Sequence, residues 1–198
     1  MNEFDGIFDS QKTFRKLLEA FSFPGRIISL KAISATEGLE FLYPIFMTLF
    51  DHETCFYLYC VDETKIGRIS NYIGQKTGSK IRDVGDSDFI VLLNEPTPEL
   101  VKKIKTGDIE YPEDGATVIS HVKNIANNRT GGIELVLSGP GIKEQTYIAV
   151  DGPSESFFRT LNERQDYPSG VDIIFVDSEG RLAAIPRSVK MEVKKWVL

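Results

Sequence analysis

"DFIVLLN", residues 88–94, decides the reading of the fold. A strand with one wet face alternates apolar and polar side chains. This run is apolar almost throughout, as in a strand covered on both faces. Such strands lie in the middle of parallel sheets flanked by helices.

Outward toward the N-terminus, Asp62 caps a helix over about 63–76. Ile66, Ile69 and Ile73 form its core side. Gly67, Ser70 and Gly74 make a small-residue stripe beside it, read as tight packing against the sheet rather than as a ligand approach. "CFYLYC" (55–60) is a strand. Side chains five apart on a strand face opposite ways, so Cys55 and Cys60 neither bond each other nor share a metal. They read as buried free thiols of a reducing compartment. Thr36 caps a helix running to about Phe50, and Pro44 inside it predicts a kink or a late start. "RIISL" (26–30) is a strand. "DSQKTFRKLLEAF" (9–21) is a helix capped by Asp9 or Ser10. Phe14, Leu17, Leu18 and Phe21 recur at i, i+3, i+4, i+7 as its core stripe, and Pro24-Gly25 ends it.

Toward the C-terminus, Thr97-Pro98 starts a short helix to about Lys105. Strands 115–122 and 132–139 flank a polar loop, "KNIANNRTG". A helix over 153–163 points Phe157, Phe158 and Leu161 inward. "YPSGVDIIFVDSEGRLAAIPRS" (167–188) is a hairpin of two apolar strands around an acidic turn. The order α-β-α-β-α-β-α-β-β-α-β-β predicts right-handed crossovers. The expected fold is a single three-layer α/β domain over 1–198, with helices on the faces of a mostly parallel sheet. The late hairpins make that central sheet mixed.

Bulk properties narrow the function. The chain has 23 Lys and Arg against 29 Asp and Glu, a net charge of −6. Nucleic-acid binding draws on a basic surplus that is missing here. No apolar run approaches the ~20 residues that span a bilayer. The acidic start "MNEFDGIFDSQ" lacks a signal peptide's cationic and apolar regions, so a cytoplasmic protein is expected.

Motifs for catalysis are sparse. His52 lies in a turn and His121 within a strand, neither with partners at metal-ligand spacing. No G-x-S-x-G elbow, Walker loop or dinucleotide fingerprint follows a strand. "SGPGI" (138–142) could turn amides toward an oxyanion, but Pro140 removes one donor, so a shaped turn is the stronger reading. A pyridoxal phosphate site needs a Schiff-base lysine. Lys102, Lys103 and Lys105 lie in polar helical sequence, Lys190, Lys194 and Lys195 near the tail. None of these stands alone in a small-residue loop after a strand. Asp172 and Arg187 fall at the same end of the closing hairpin. They read first as a structural ion pair, with Asp172 also accepting from the Pro168–Gly170 turn, and second as a ligand or partner contact.

Six turns in order, "FRKLLEAFSFPGRI" (14–27), "MTLFDHET" (47–54), "PEDGAT" (112–117), "LSGPGI" (137–142), "YPSGVDIIFV" (167–176) and "LAAIPRS" (182–188), resemble the PhnH subunit family of the bacterial carbon–phosphorus lyase system. The resemblance spans almost the whole chain. It implies a fold similar to the large domain of pyridoxal-phosphate-dependent transferases without their cofactor site, hence no cofactor. It implies assembly with PhnG, PhnI and PhnJ, homodimers in isolation, and a supporting role in coupling an alkylphosphonate to the ribose of ATP with release of adenine. No family catalytic residue carries over. Two positions depart from the family pattern: Ser169 stands where a hydrophobic residue is common, and Phe23 replaces a polar residue before Pro24.

Arg15, Gly139, Gly141, Asp172 and Arg187 are therefore the candidate ligand- or partner-binding residues. The favoured reading is a subunit without an active site of its own. The alternative is a stand-alone nucleotide- or phosphonate-binding enzyme or sensor, with Arg15, Arg187 and the Gly139–Gly141 turn converging as an anion site in the vestigial cofactor cleft.

Overall fold

The computed structural model describes residues 4–35, 38–127 and 131–194. In chain order these form α1 (Phe8–Ser22), β1 (Ile28–Ser29), α2 (Tyr43–Leu49), β2 (Cys55–Tyr59), α3 (Glu63–Thr77) and β3 (Lys80–Ile81). Then come β4 (Phe89–Leu92), α4 (Pro98–Lys102), β5 (Thr117–Val122), β6 (Asn124–Ala126), β7 (Ile133–Ser138) and β8 (Thr146–Asp151). The chain closes with α5 (Glu155–Asn162), β9 (Asp172–Asp177), β10 (Arg181–Ile185) and β11 (Lys190–Val193).

The central sheet has the order β1-β10-β9-β5-β4-β2-β3. Its strands β3, β2, β4, β5 and β9 run parallel, while β10 and β1 pair antiparallel at one edge. It is the mixed, mostly parallel sheet that the apolar run at 88–94 indicated. In β9, Ile173 and Phe175 enter one core while Ile174 and Val176 enter the other. The period-two pleat thus needs apolar residues at every position when both faces are covered. On one face lie α1, α2 and α3, with Leu17, Phe46 and Ile73 in the core. The opposite core takes in Val101 of α4 and Phe158 of α5.

A second sheet, β11-β7-β8-β6, also lies on that opposite face. The strand expected at 132–139 belongs there and not to the central sheet, a correction to the single-sheet reading. β7 buries Leu135 and Leu137 between less buried neighbours, the alternation of a sheet with one covered face. Its partner β8 and the short β6, inside the supposed polar loop, were not expected.

α1 departs from the expected packing. Thr13, Leu17 and Ala20 are buried, whereas Phe14 and Leu18 remain about half exposed (47% and 50%). Neither Asp9 nor Ser10 caps the helix; Asp5 Oδ1 accepts from the amides of Ile7 and Phe8. α2 makes the late start, with Pro44 in its first turn; its expected cap, Thr36, lies outside the described residues. Asp62 caps α3, accepting from Thr64 N at 3.1 Å. The small-residue stripe on α3 is not uniform. Ser70 is buried and Gly74 lies close to Ser79 O, but a side chain at Gly67 would meet nothing.

Candidate functional site

Two ends of the central sheet collect the polar groups, and they differ in kind. At the amino ends of the parallel strands, Asp172 opens β9 and Arg187 follows β10. Arg187 Nη2 and Nε donate to Asp172 Oδ2 at 2.7 and 3.1 Å, and the Arg187 amide donates to Oδ1 at 2.8 Å. The guanidinium also donates to the carbonyls of Pro112 and Gly115. The pair is only 15% and 23% exposed. It therefore ties "PEDGAT", "YPSGVD" and "AIPRS" into one knot. Asp172 does not accept from the Pro168–Gly170 turn as expected: Gly170 N donates to Thr106 O, and Val171 N to Gln165 Oε1. The Asp172 carboxylate and the Arg187 guanidinium both already have partners, so the geometry of the pair is that of a frame.

Gly139 and Gly141 occupy a different joint. Gly141 has φ +80°, and an added Cβ would lie 2.5 Å from Ser22 O; one at Gly139 would lie 3.1 Å from Ser188 O. The turn packs on the end of α1 and on the segment after Arg187, which explains its glycines sterically. Arg15 is exposed on α1. Of the five candidates, the structure brings together Asp172 and Arg187. Arg187's guanidinium turns to the knot, whereas Gly141 lines a separate hollow that neither Arg15 nor Arg187 lines.

At the carboxyl ends the sheet opens. β3 and β4 flank β2 on opposite sides. α3 leaves β2 into the helical layer, while α4 leaves β4 into the layer of the second sheet. Diverging connections leave a crevice between adjacent strand ends, the place where open α/β sheets bind ligands. Here it holds a cleft of about 500 Å³, and a hollow of about 270 Å³ adjoins it. Both are lined by Leu93, Asn94, His121 and Ser178. Buried Cys60 also lines the cleft. The other thiol, Cys55, is only half-buried and lies 3.1 Å from Asp88 Oδ2 at the far end of β2; burial pushes its pKa up.

His121 is the group with tuned chemistry. Burial lowers its pKa, opposed by the nearby charges of Asp177 and Glu40. The imidazole is consequently neutral at neutral pH, with Nε2 3.4 Å from Ser178 Oγ. Asp177 beneath is fully buried and engaged. Its Oδ1 accepts from the amides of Glu179 and Arg181, its Oδ2 from Ile125 N and Arg181 Nε. Asn94 Oδ1 accepts from Val61 N at 3.0 Å, which fixes the side-chain amide between the two strand ends. The sequence marks this site faintly: single polar residues just past apolar runs, at 94, 121 and 178. Lys123, directly after β5, also lines the smaller hollow, a lysine that stands outside the polar helical stretches and the tail.

The lowered pKa has a measurable consequence. An unfolded His titrates near 6.5, so between that value and the lower folded one the unfolded chain binds more protons. Stability therefore falls as pH drops below about 6.5. His121→Gln should lack this component, and the difference in melting temperature between the two proteins should change between pH 7.5 and 5. A difference independent of pH would contradict a neutral His121.

Among the described residues, no group of three His, Cys, Asp or Glu could hold a metal ion, and no helix is long and apolar enough to cross a membrane. The geometry defines an open α/β sheet protein with a switch-point crevice at one end and a closed hydrogen-bonded knot at the other. Residues 3–192 match the family described as bacterial phosphonate metabolism protein (PhnH), and the chain belongs to that family. It is 30% identical, over 93% of its length and 86% of the relative's, to a putative C-P lyase subunit protein, HtxG, of Stutzerimonas stutzeri. It is 28% identical, over 95% of its length and 92% of the relative's, to the PhnH subunit of alpha-D-ribose 1-methylphosphonate 5-triphosphate synthase of Rhizobium meliloti (strain 1021).

Proposed function

We propose that this protein is a cytoplasmic subunit of a carbon–phosphorus lyase system. It supports the coupling of an alkylphosphonate to the ribose of ATP by seating PhnG, PhnI and PhnJ counterparts rather than through an active site of its own. The observation that carries this reading is the near full-length match to two proteins named as subunits. The fold then serves as a cofactor-free relative of the pyridoxal-phosphate transferase large domain, and isolated copies form homodimers through surface that the other subunits cover in the complex.

α1 offers such a surface. Ile7, Phe14 and Leu18 fall within one side of the helix at i, i+7, i+11, turned away from the buried Thr13, Leu17 and Ala20. Phe23, 46% exposed, lies beyond the helix end with the Arg26 guanidinium 4.1 Å from its ring centre. Arg15 adds a charge beside Phe14. An apolar core with arginine near it is the composition of a subunit interface, which needs roughly 800 Å² from each partner.

Co-expression with the PhnG, PhnI and PhnJ counterparts tests the proposal. The wild-type chain should co-purify with them. The double variant Phe14→Glu, Leu18→Glu should fold with its melting temperature nearly unchanged, since both sites are solvent-exposed, and should be lost from the complex. A double variant retained like wild type would exclude this face. Failure of the wild type to co-purify, with unimpaired growth on methylphosphonate after gene deletion, would exclude the subunit reading itself.

A further inference from the structure

We propose that the crevice at the carboxyl ends of β2, β4 and β5 binds an uncharged, planar heteroaromatic ligand of nucleoside size, with Asn94, His121 and Ser178 reading its polar edge. The site stands apart from the α1 face and from the subunit reading; either can fail without the other.

Size and lining point to this ligand class. Small-molecule sites are clefts of about 300–1,000 Å³, mostly apolar, with a few polar groups that fix orientation. The larger cleft, about 500 Å³, lies within that range. Leu39, Phe41, Leu42, Ile69 and Leu93 supply apolar and aromatic wall. That lining suits the faces of a ring better than a hydrated ion.

The polar groups choose between ligands. An amide, an imidazole and a hydroxyl can each donate and accept, and they line the same wall at the ends of β4, β5 and β9. Their reach matches alternating donors and acceptors on the edge of a nucleobase. Burial keeps the imidazole neutral, so it offers one donor and one acceptor and no charge.

The fixed charges disfavour an anion. Glu40, Asp62 and Glu95 line the two hollows, against Lys65 and Lys123. Lys65 is already 3.9 Å from Asp62. Among the described residues, no arginine lines either hollow, although the planar guanidinium is the usual grip for phosphate. A triphosphate or phosphonate would meet a surplus of carboxylates, whereas ribose hydroxyls can donate to them.

The chain contains two histidines, His52 and His121. His52 lies in an exposed turn at the other end of β2, so the pair reports site and control in one spectrum. Adenosine is the probe: uncharged at neutral pH, with donors and acceptors on one planar edge. Titrated into the purified chain, it should move the His121 ring resonances saturably, with a Kd below about 1 mM, and leave those of His52 in place. ATP should bind at least tenfold more weakly, and methylphosphonate should leave His121 unmoved. Val61→Trp, at the exposed mouth, should weaken adenosine binding at least tenfold with an unchanged melting curve.

An unmoved His121 at the solubility limit of adenosine would overturn the proposal. So would ATP binding more tightly than adenosine, or undiminished binding by a folded Val61→Trp variant. If that variant does not fold, the wild-type spectrum alone still decides.

Discussion

Arg187→Ala is expected to lower the unfolding free energy by about 3 kcal/mol, or roughly 6–12 °C in melting temperature for a domain of this size. The side chain holds three segments at once: it donates twice to Asp172 and also to the carbonyls of Pro112 and Gly115. Removing it leaves a mostly buried carboxylate and two carbonyls without those donors. Breaking a fully buried pair costs about 3–5 kcal/mol, and the residual exposure of both partners places this one at the lower end. Asp172→Ala should cost less, about 1–3 kcal/mol, because the remaining guanidinium keeps the carbonyls of Pro112 and Gly115 as acceptors. Arg187→Lys should rescue little: an ammonium has no planar fork to serve a carboxylate edge and two carbonyls. Chemical denaturation of the three variants checks the order. An Arg187→Ala chain that melts like wild type and no longer joins the complex would make the residue a contact instead of a tie.

Gly115→Ala should be at least as damaging, near or above the ~3 kcal/mol upper end of ordinary overpacking. The backbone at Gly115 is conformationally ordinary, with φ −63°, so the cost is purely one of space. A Cβ there would lie 2.8 Å from Thr106 O, 2.6 Å from Arg187 Nη1, and closer still to Gly170 O. Two of these neighbours are backbone on separate segments, so relief would open the same knot that Arg187 closes. Gly67→Ala provides the contrast: its Cβ would meet nothing, and it lies within α3. Replacing glycine there should stabilise by about 1 kcal/mol through helix propensity alone. Equal effects of the two substitutions would mean that the close approach at Gly115 does not limit stability. The two sites look alike in sequence, and only the packing separates them.

The α1 face shows the same limit on a larger scale. Phe14, Leu17, Leu18 and Phe21 satisfy the helical period, and period locates an apolar side without saying what covers it. Leu17 goes into the core, whereas Phe14 and Leu18 stay about half exposed. The small residues Thr13 and Ala20 take the inner face because α2 and the sheet come close there. A stripe meant for another chain and one meant for the chain's own core are written with the same letters. Likewise, the six ordered turns carried the family, since five of them place a proline, and four of those a glycine as well, at a joint that tolerates little else. They said little about the crevice, whose residues come from the ends of separate strands.

Local chemistry in the sequence determined the helices at 9–21, 63–76 and 153–163, the doubly covered strands, and the mixed, mostly parallel order of the central sheet. Those features follow from side-chain period, caps and alternation, which act over a few residues. Only the tertiary structure decided that β7 leaves the central sheet to pair with β8, that Arg187 closes a knot rather than an anion site, and that Asn94, His121 and Ser178 meet. These depend on segments tens of residues apart, brought together by burial of apolar surface that favours compaction without naming partners.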